Sequence, residues 1–151
     1  VALHHHLLPS LKEPPKTDDV EERVMQQKMS KSRPDSAVFI HDSQVEIAAK
    51  FKKAFCPEKT VQGNPVLEWA KYLVFPSIGS LRVERPDKFG GDVWYESYDK
   101  MEVDFGEGKL HPADLKTAMA AHVDRLVKPV REHFEKKKDL LKVYDTTQVT
   151  R

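Results

Sequence analysis

From Ile40 onward the apolar residues recur at spacings of three and four, the period of helices buried on one face. Ser43, three residues before Glu46, predicts a helix start, because the hydroxyl and the carboxylate can each take a backbone N–H. Ala48, Phe51 and Phe55 then share a face, Lys50, Lys52 and Lys53 point mostly elsewhere, and Pro57 is expected to stop the helix. Asn64 and Pro65 suit the N-cap and first turn of a second helix, with Val66, Trp69, Ala70 and Leu73 as its stripe and Pro76 after its end. In "LRVERP" and "DVWYES" the period changes to two, and with Gly90 and Gly91 between them the pair predicts a short hairpin. A brief helix around Tyr98, Met101 and Phe105 is closed by Gly106 and Gly108. The longest segment opens at Pro112 and carries Leu115, Met119, His122, Leu126, Val130 and Phe134, with a kink or break expected at Pro129. His122, on that apolar face, reads as a core histidine. Beyond Lys138 no strong signal is visible.

The start of the chain has a different character. "VALHHHLLPSL" reads as the middle of a buried strand and the turn after it; apolar from its first residue and without an initiator methionine, it suggests a piece of a longer protein. Residues 12–32, with a Pro-Pro pair and a block of acids, predict a mobile loop and the boundary between two domains. The expected fold is mainly α with a small β-hairpin, and no internal repeat is present.

Composition adds little beyond this frame. The 151 residues fit one domain of ordinary size, 39% hydrophobic and 32% charged, as in soluble globular chains. Lys plus Arg is 25 against 24 for Asp plus Glu, so the net charge of +1 points to no partner, and any affinity for nucleic acid must come from local arrangement. A single cysteine, Cys56, excludes an internal disulfide, fits a reducing compartment and reads as a small packed residue. No apolar run approaches the ~20 residues of a membrane helix. Successive strand residues face opposite sides, so His4, His5 and His6 cannot converge on one ion, and no metal site is expected.

The candidate chemistry lies in "KMSKS", Lys28 to Ser32. Lysines on flexible stems, with serines as small donors, can follow a phosphate whose charge changes during a reaction. A solvated charged loop is the alternative for any generic K-x-x-K. Here the pentapeptide matches the signature loop of class I aminoacyl-tRNA synthetases. Joined by "KKAFCP", "GNPVLEWAKYLVFP", "RPDKFGGD" and "LHPADLK…PVREHF" in order, the chain from about residue 24 to residue 135 resembles the C-terminal part of tyrosyl-tRNA synthetases of the archaeal and eukaryotic type.

That resemblance implies a division of labour. Residues 1–40 would be the edge of a Rossmann-type (α/β) catalytic domain, and 41–151 a helical anticodon-binding domain. Lys28, Met29, Ser30, Lys31 and Ser32 match the loop that stabilises the pyrophosphate of ATP, with Mg2+ on the phosphates and Lys31 as the main charge. Phe89 would stack on an anticodon base of tRNA-Tyr, with Pro86 alongside. Asp114 would accept from N1–H and N2–H of guanine, and His111 would add a stacking or hydrogen-bonding contact. From spacing alone, His111 as a helix cap, Asp114 as a dipole partner and Phe89 as a core residue stand as alternatives. The segment "KTDDVEERV" is longer and more acidic than the family pattern, placing Asp18, Asp19, Glu21 and Glu22 near the loop. The family's "HIGH"-type motif does not occur in this sequence. The implied parent is a cytoplasmic, dimeric ligase using tyrosine and ATP, and the chain alone is expected not to catalyse adenylation. Two other readings stay open: a non-catalytic RNA-binding module and the related tryptophan enzyme.

Overall fold

The computed structural model describes residues 6–30 and 33–137. Its elements run α1 (Val20–Gln27), α2 (Gln44–Lys53), α3 (Pro65–Trp69), a π-helical turn (Ala70–Val74), α4 (Phe75–Ile78), β1 (Leu81–Val83), β2 (Val93–Tyr95), α5 (Tyr98–Gly106) and α6 (Pro112–Glu135). No helix among the described residues is long and apolar enough to cross a membrane.

The predicted capping box is present. Ser43 Oγ accepts from the Glu46 N–H at 3.3 Å, and Glu46 Oε2 accepts from the Ser43 N–H at 2.7 Å. The buried face of α2 differs from the expected one: Ile47 and Phe51 are buried, followed by Ala54, whereas Ala48 is exposed and Phe55 half-buried. The helix ends at Lys53, before Pro57 could stop it, so Phe55 no longer follows the helical period. Asn64 caps α3 as expected, its Oδ1 accepting from Val66 N at 3.0 Å and Leu67 N at 3.4 Å. The π turn then moves the buried position from Leu73 to Val74. It also explains why Pro76 does not end this helix. In the wider turn the Phe75 N–H reaches back to the Ala70 carbonyl, so the regular ladder is already interrupted where a proline would break it.

The hairpin is antiparallel, with Leu81 opposite Tyr95 and Val83 opposite Val93; Arg82 and Trp94 share its outer face. α5 buries Met101 and Phe105, and α6 buries Leu115, Ala118, Met119, Ala120 and Val123. α6 continues through Pro129, so of the kink or break expected there the break does not occur. His122 is half-buried and satisfied at both ring nitrogens, Nδ1 lying 2.8 Å from the Ala118 carbonyl and Nε2 accepting from the Arg82 N–H at 3.4 Å. Cys56 is buried in the same core, and burial pushes its thiol above the ordinary range.

The expected mobile loop over 12–32 contains α1. Asp19 caps it, accepting from Glu21 N at 2.8 Å and Glu22 N at 3.1 Å, and the acids of the first turn complement the helix dipole. Of the expected opening strand, residues 1–5 lie outside the described residues; among those described, one antiparallel bridge pairs Pro9 with Lys28. Leu11 is fully buried within the main hydrophobic cluster, its N–H donating to Ser36 O at 2.9 Å and its carbonyl accepting from Phe55 N at 2.8 Å. The segment beyond Lys137 lies outside the described residues.

Tyr95, on the inner face of β2, is 1% exposed. Burial first, then the neighbouring Asp104 carboxylate, push its phenol up to about 12. Tyr98 is raised as well, by burial and by Glu102, which accepts from its hydroxyl at 2.7 Å. Both folded values lie above the unfolded phenol's ~10, so stability is intact below pH ~10 and falls as pH rises toward the folded values. Tyr95→Phe is expected to flatten part of that alkaline loss in a series of urea midpoints against pH, and adding Tyr98→Phe to flatten more. An unchanged slope would assign the loss to other groups.

Candidate functional site

Two clefts hold the residues that the sequence singles out. The first forms where residues 10–15 lie against α1 and the turn at Pro34–Ser36. It encloses about 450 Å³ and is lined in part by Lys12, Glu13, Lys28, Ser30 and Arg33. The Pro9–Lys28 bridge and the bond from Ser10 N to Gln27 O at 2.7 Å fix the backbone at Lys28. Ser30 N donates to Ser36 Oγ at 3.5 Å, and Arg33 N to Ser30 O at 3.1 Å. Met29 does not line the cleft; it packs against the hydrophobic core and anchors the loop. Lys31 and Ser32 lie outside the described residues.

Cations dominate this lining. Lys12 is paired with Asp35 at 3.3 Å, and that contact holds the Asp35 carboxyl below its ordinary range. Lys28 and Arg33 are in no ion pair among the described residues. Two of the four acids expected near the loop are engaged at α1: Asp19 caps it, and Glu22 accepts from Thr17 at 2.9 Å and Gln26 at 2.7 Å. Arg33 and Lys12 were not singled out from the sequence, although Arg33 directly follows the motif.

The second cleft, of about 430 Å³, lies between the hairpin turn and the start of α6 and is lined by Arg85, Phe89, Lys109, His111 and Asp114 among others. Phe89, His111 and Asp114 are therefore neighbours, although the chain between them includes β2 and α5. Phe89 ends a 3-10 turn, Asp87–Phe89, and is 60% exposed rather than part of the core. Gly90 and Gly91, at φ +95° and +68°, let the chain double back immediately after it. Pro86 lies outside the cleft lining. It precedes the turn, and its carbonyl accepts from Phe89 N at 2.8 Å and Gly91 N at 3.3 Å.

Arg85 joins the two walls, its Nε donating to Gly91 O at 3.0 Å and its Nη1 to Lys109 O at 3.1 Å. Asp92 supports the same corner. It accepts from Arg85 N at 3.1 Å and from Arg82 Nη2 at 2.7 Å, and the Arg82 contact holds its carboxyl below the ordinary range. No sequence signal had marked Arg85 or Lys109.

His111 does cap α6: its Nδ1 accepts from the Ala113 N–H at 3.1 Å. The capping nitrogen is unprotonated, so in the neutral ring the proton sits on Nε2, a donor on the cleft-lining imidazole. Lys109 is answered by Glu107 and Asp104, which raise its pKa. Asp114 sits in the first turn of α6, half-buried and in no ion pair among the described residues. A flat aromatic wall, an acceptor carboxylate and a ring donor within one base-sized cleft can stack a planar heterocycle and read two adjacent N–H groups.

Comparison with known proteins gives consistent matches. Residues 16–128 match the family model described as tRNA synthetases class I (W and Y). The chain is 50% identical over 157 aligned residues to a tyrosine–tRNA ligase of Thermococcus kodakarensis, covering all of this chain and 42% of that protein. A tyrosyl-tRNA synthetase structure from Pyrococcus horikoshii, complexed with L-tyrosine, superposes with a TM-score of 0.85 at 49% identity, covering 95% of this chain and 40% of that one. The Aeropyrum pernix tyrosyl-tRNA synthetase gives 0.75 at 37% identity, with 95% and 38% covered. The chain thus spans less than half the length of these relatives.

Proposed function

Because the chain belongs to the class I tRNA synthetases of the tryptophan and tyrosine group, we propose that it supplies the phosphate-handling loop and the anticodon-binding domain of a tyrosine–tRNA ligase. The parent enzyme joins tyrosine to tRNA-Tyr at the expense of ATP, acting as a dimer in the cytoplasm. Tyrosine is favoured over tryptophan because the relatives compared carry the tyrosine name. Residues 1–40 close the catalytic domain and 41–151 form the anticodon-binding domain. Buried Leu11 and the bond from Trp69 to Pro9 join the two.

In this reading Lys28 and Lys31 neutralise charge on the pyrophosphate as it leaves, and Arg33, which lines the cleft together with Lys28, adds a further cation. Fixed cations that meet charge only as it develops lower the barrier without tightening the ground state. The lining does not fit a resident Mg2+: Glu13 is its one carboxylate, and no cluster of three metal-ligating side chains occurs among the described residues. The described residues of this cleft therefore bring cations to the phosphates rather than ligands to a metal.

The observation that carries the anticodon assignment is the convergence of Phe89, His111 and Asp114 on one cleft. Phe89 stacks on the first anticodon base, and Asp114 accepts from guanine N1–H and N2–H, which adenine lacks. The test compares binding of this chain to tRNA-Tyr transcripts with G or A at that position, at one salt concentration, because phosphate contacts alone are blind to sequence. Hydrogen bonds to a charged group are worth about 1.5–3 kcal/mol, so the G transcript should bind roughly ten- to a hundredfold better. Asp114→Ala should erase the difference. Equal binding of both transcripts by the wild type would refute the assignment.

A further inference from the structure

The hairpin carries a second exposed aromatic besides Phe89. Trp94, on the outer face of β2, is 59% exposed, against 60% for Phe89. Each has a cation over its ring: Lys88 Nζ lies 4.9 Å from the Phe89 centroid, and the Arg82 guanidinium 5.5 Å from that of Trp94. An aromatic of this size left in solvent on a two-stranded hairpin contributes nothing to the core, which β2 joins through Tyr95 and Val93.

Trp94 faces a cleft of about 340 Å³ whose other wall is α6, through Ala118, Ala121, His122 and Arg125. Asp114, Ala118, Ala121 and Arg125 fall at spacings of four, three and four, so they form one stripe along one face of the helix. The stripe begins at Asp114 in the Phe89 cleft and reaches Arg125 about 16 Å further on, at 1.5 Å of rise per residue. Its small residues leave room beside the helix for a flat ring. The charges divide along the cleft. Arg82 is already held by Asp92 at 2.7 Å and Glu84 at 3.2 Å, so its guanidinium is a fixed plane against Trp94 rather than an available cation. Arg125 is exposed and in no ion pair among the described residues.

We propose that the Trp94–Arg125 cleft is a second RNA subsite, in which a further unpaired nucleotide of the bound strand stacks its base on Trp94 and sets its phosphate on Arg125. The proposal rests on the anticodon reading of the Phe89 cleft and extends that surface along α6. Single-stranded RNA is held in this way, by successive bases on aromatic platforms and by cations tracking the backbone.

The test titrates this chain with a stem-loop RNA bearing the tRNA-Tyr anticodon loop, reading affinity and tryptophan emission together. Trp69 is 3% exposed, so Trp94 is the indole that a base can reach. Binding should quench the emission, and Trp94→Phe should abolish the quenching while keeping most of the affinity. Trp94→Ala should weaken binding roughly 5- to 150-fold, the range for loss of one stacked base. Arg125→Ala should lower the salt dependence by about one counterion. Both side chains are exposed, so the variants should fold, with wild-type urea midpoints as the check. If Trp94→Ala binds as well as wild type while Phe89→Ala is impaired, the second subsite is refuted and the anticodon reading survives. If neither variant loses affinity, both readings fall.

Discussion

Truncating Arg131 to alanine is expected to destabilise the chain by about 3–5 kcal/mol, the cost of leaving a buried charge without its partner. Arg131 Nη2 donates to Asp124 Oδ1 at 2.8 Å, with the two side chains only 15% and 12% exposed. Its Nη1 donates to the main-chain carbonyl of Asp42. The Asp42 carboxylate in turn accepts from Lys50 and, at 2.7 Å, from the Phe39 N–H, while the Lys50 ammonium lies 4.6 Å from the Phe39 ring centroid. One arginine thus ties the far half of α6 to the segment that leads into α2. The expected result is a lower urea midpoint at unchanged slope, since the extent of the folded surface is the same. Arg131→Met combined with Asp124→Leu should recover most of the loss, because an apolar pair of similar volume leaves no charge stranded. A loss below about 1 kcal/mol for Arg131→Ala would mean that water screens the pair as it does a surface one.

The same contacts account for α6 running through Pro129. A proline inside a helix costs about 3 kcal/mol through its missing N–H and its clash with the preceding turn. Leu126 and Val127 are half-buried before it, and Arg131 is fastened to Asp124 and Asp42 beyond it, so both sides of the proline are held. A sequence shows the proline but not the partner 89 residues away that offsets it.

This difference runs through the whole chain. Features set by neighbours in sequence were legible: the Ser43–Glu46 box, the Asn64–Pro65 start, the short hairpin around Gly90 and Gly91. Features set by distant packing were not. The face of α2 follows Ile47 because that side meets the core, and the π turn at Ala70–Val74 shifts burial by one residue in a way that no fixed period anticipates. α1 was read as loop because its acids and nearby prolines have loop composition, although Asp19 is a competent cap. The candidate site was legible through motif resemblance for Phe89, His111 and Asp114. Their meeting in one cleft depends on Arg85, whose two bonds to carbonyls leave no periodic trace.

Trp69→Ala should cost about 3–5 kcal/mol, the usual range for emptying an aromatic's place in a core. The more informative variant is Trp69→Phe. The indole Nε1 donates to the buried Pro9 carbonyl at 2.8 Å, and Phe51 meets the ring edge-on at a centroid distance of 5.8 Å. Phenylalanine keeps most of the packing and removes the donor, leaving an unsatisfied acceptor at a cost of about 1–3 kcal/mol. Pro9 is the bridge partner of Lys28, and Ser10 N donates to Gln27 O, so the loss falls on the backbone that holds the candidate phosphate lysine. Hydrogen exchange separates the local effect from the global one. If the indole anchors the lysine, the Ser10 amide should exchange faster in Trp69→Phe by more than the global loss of stability predicts, while amides of α6 near Met119 change only by that loss. Equal changes at both places would make Trp69 a core residue and nothing more, with Lys28 held by the Ser10–Gln27 pairing alone. An excess confined to Ser10 would mean that the position of Lys28 is set from inside the helical core, through the single hydrogen bond that Trp69 gives to Pro9.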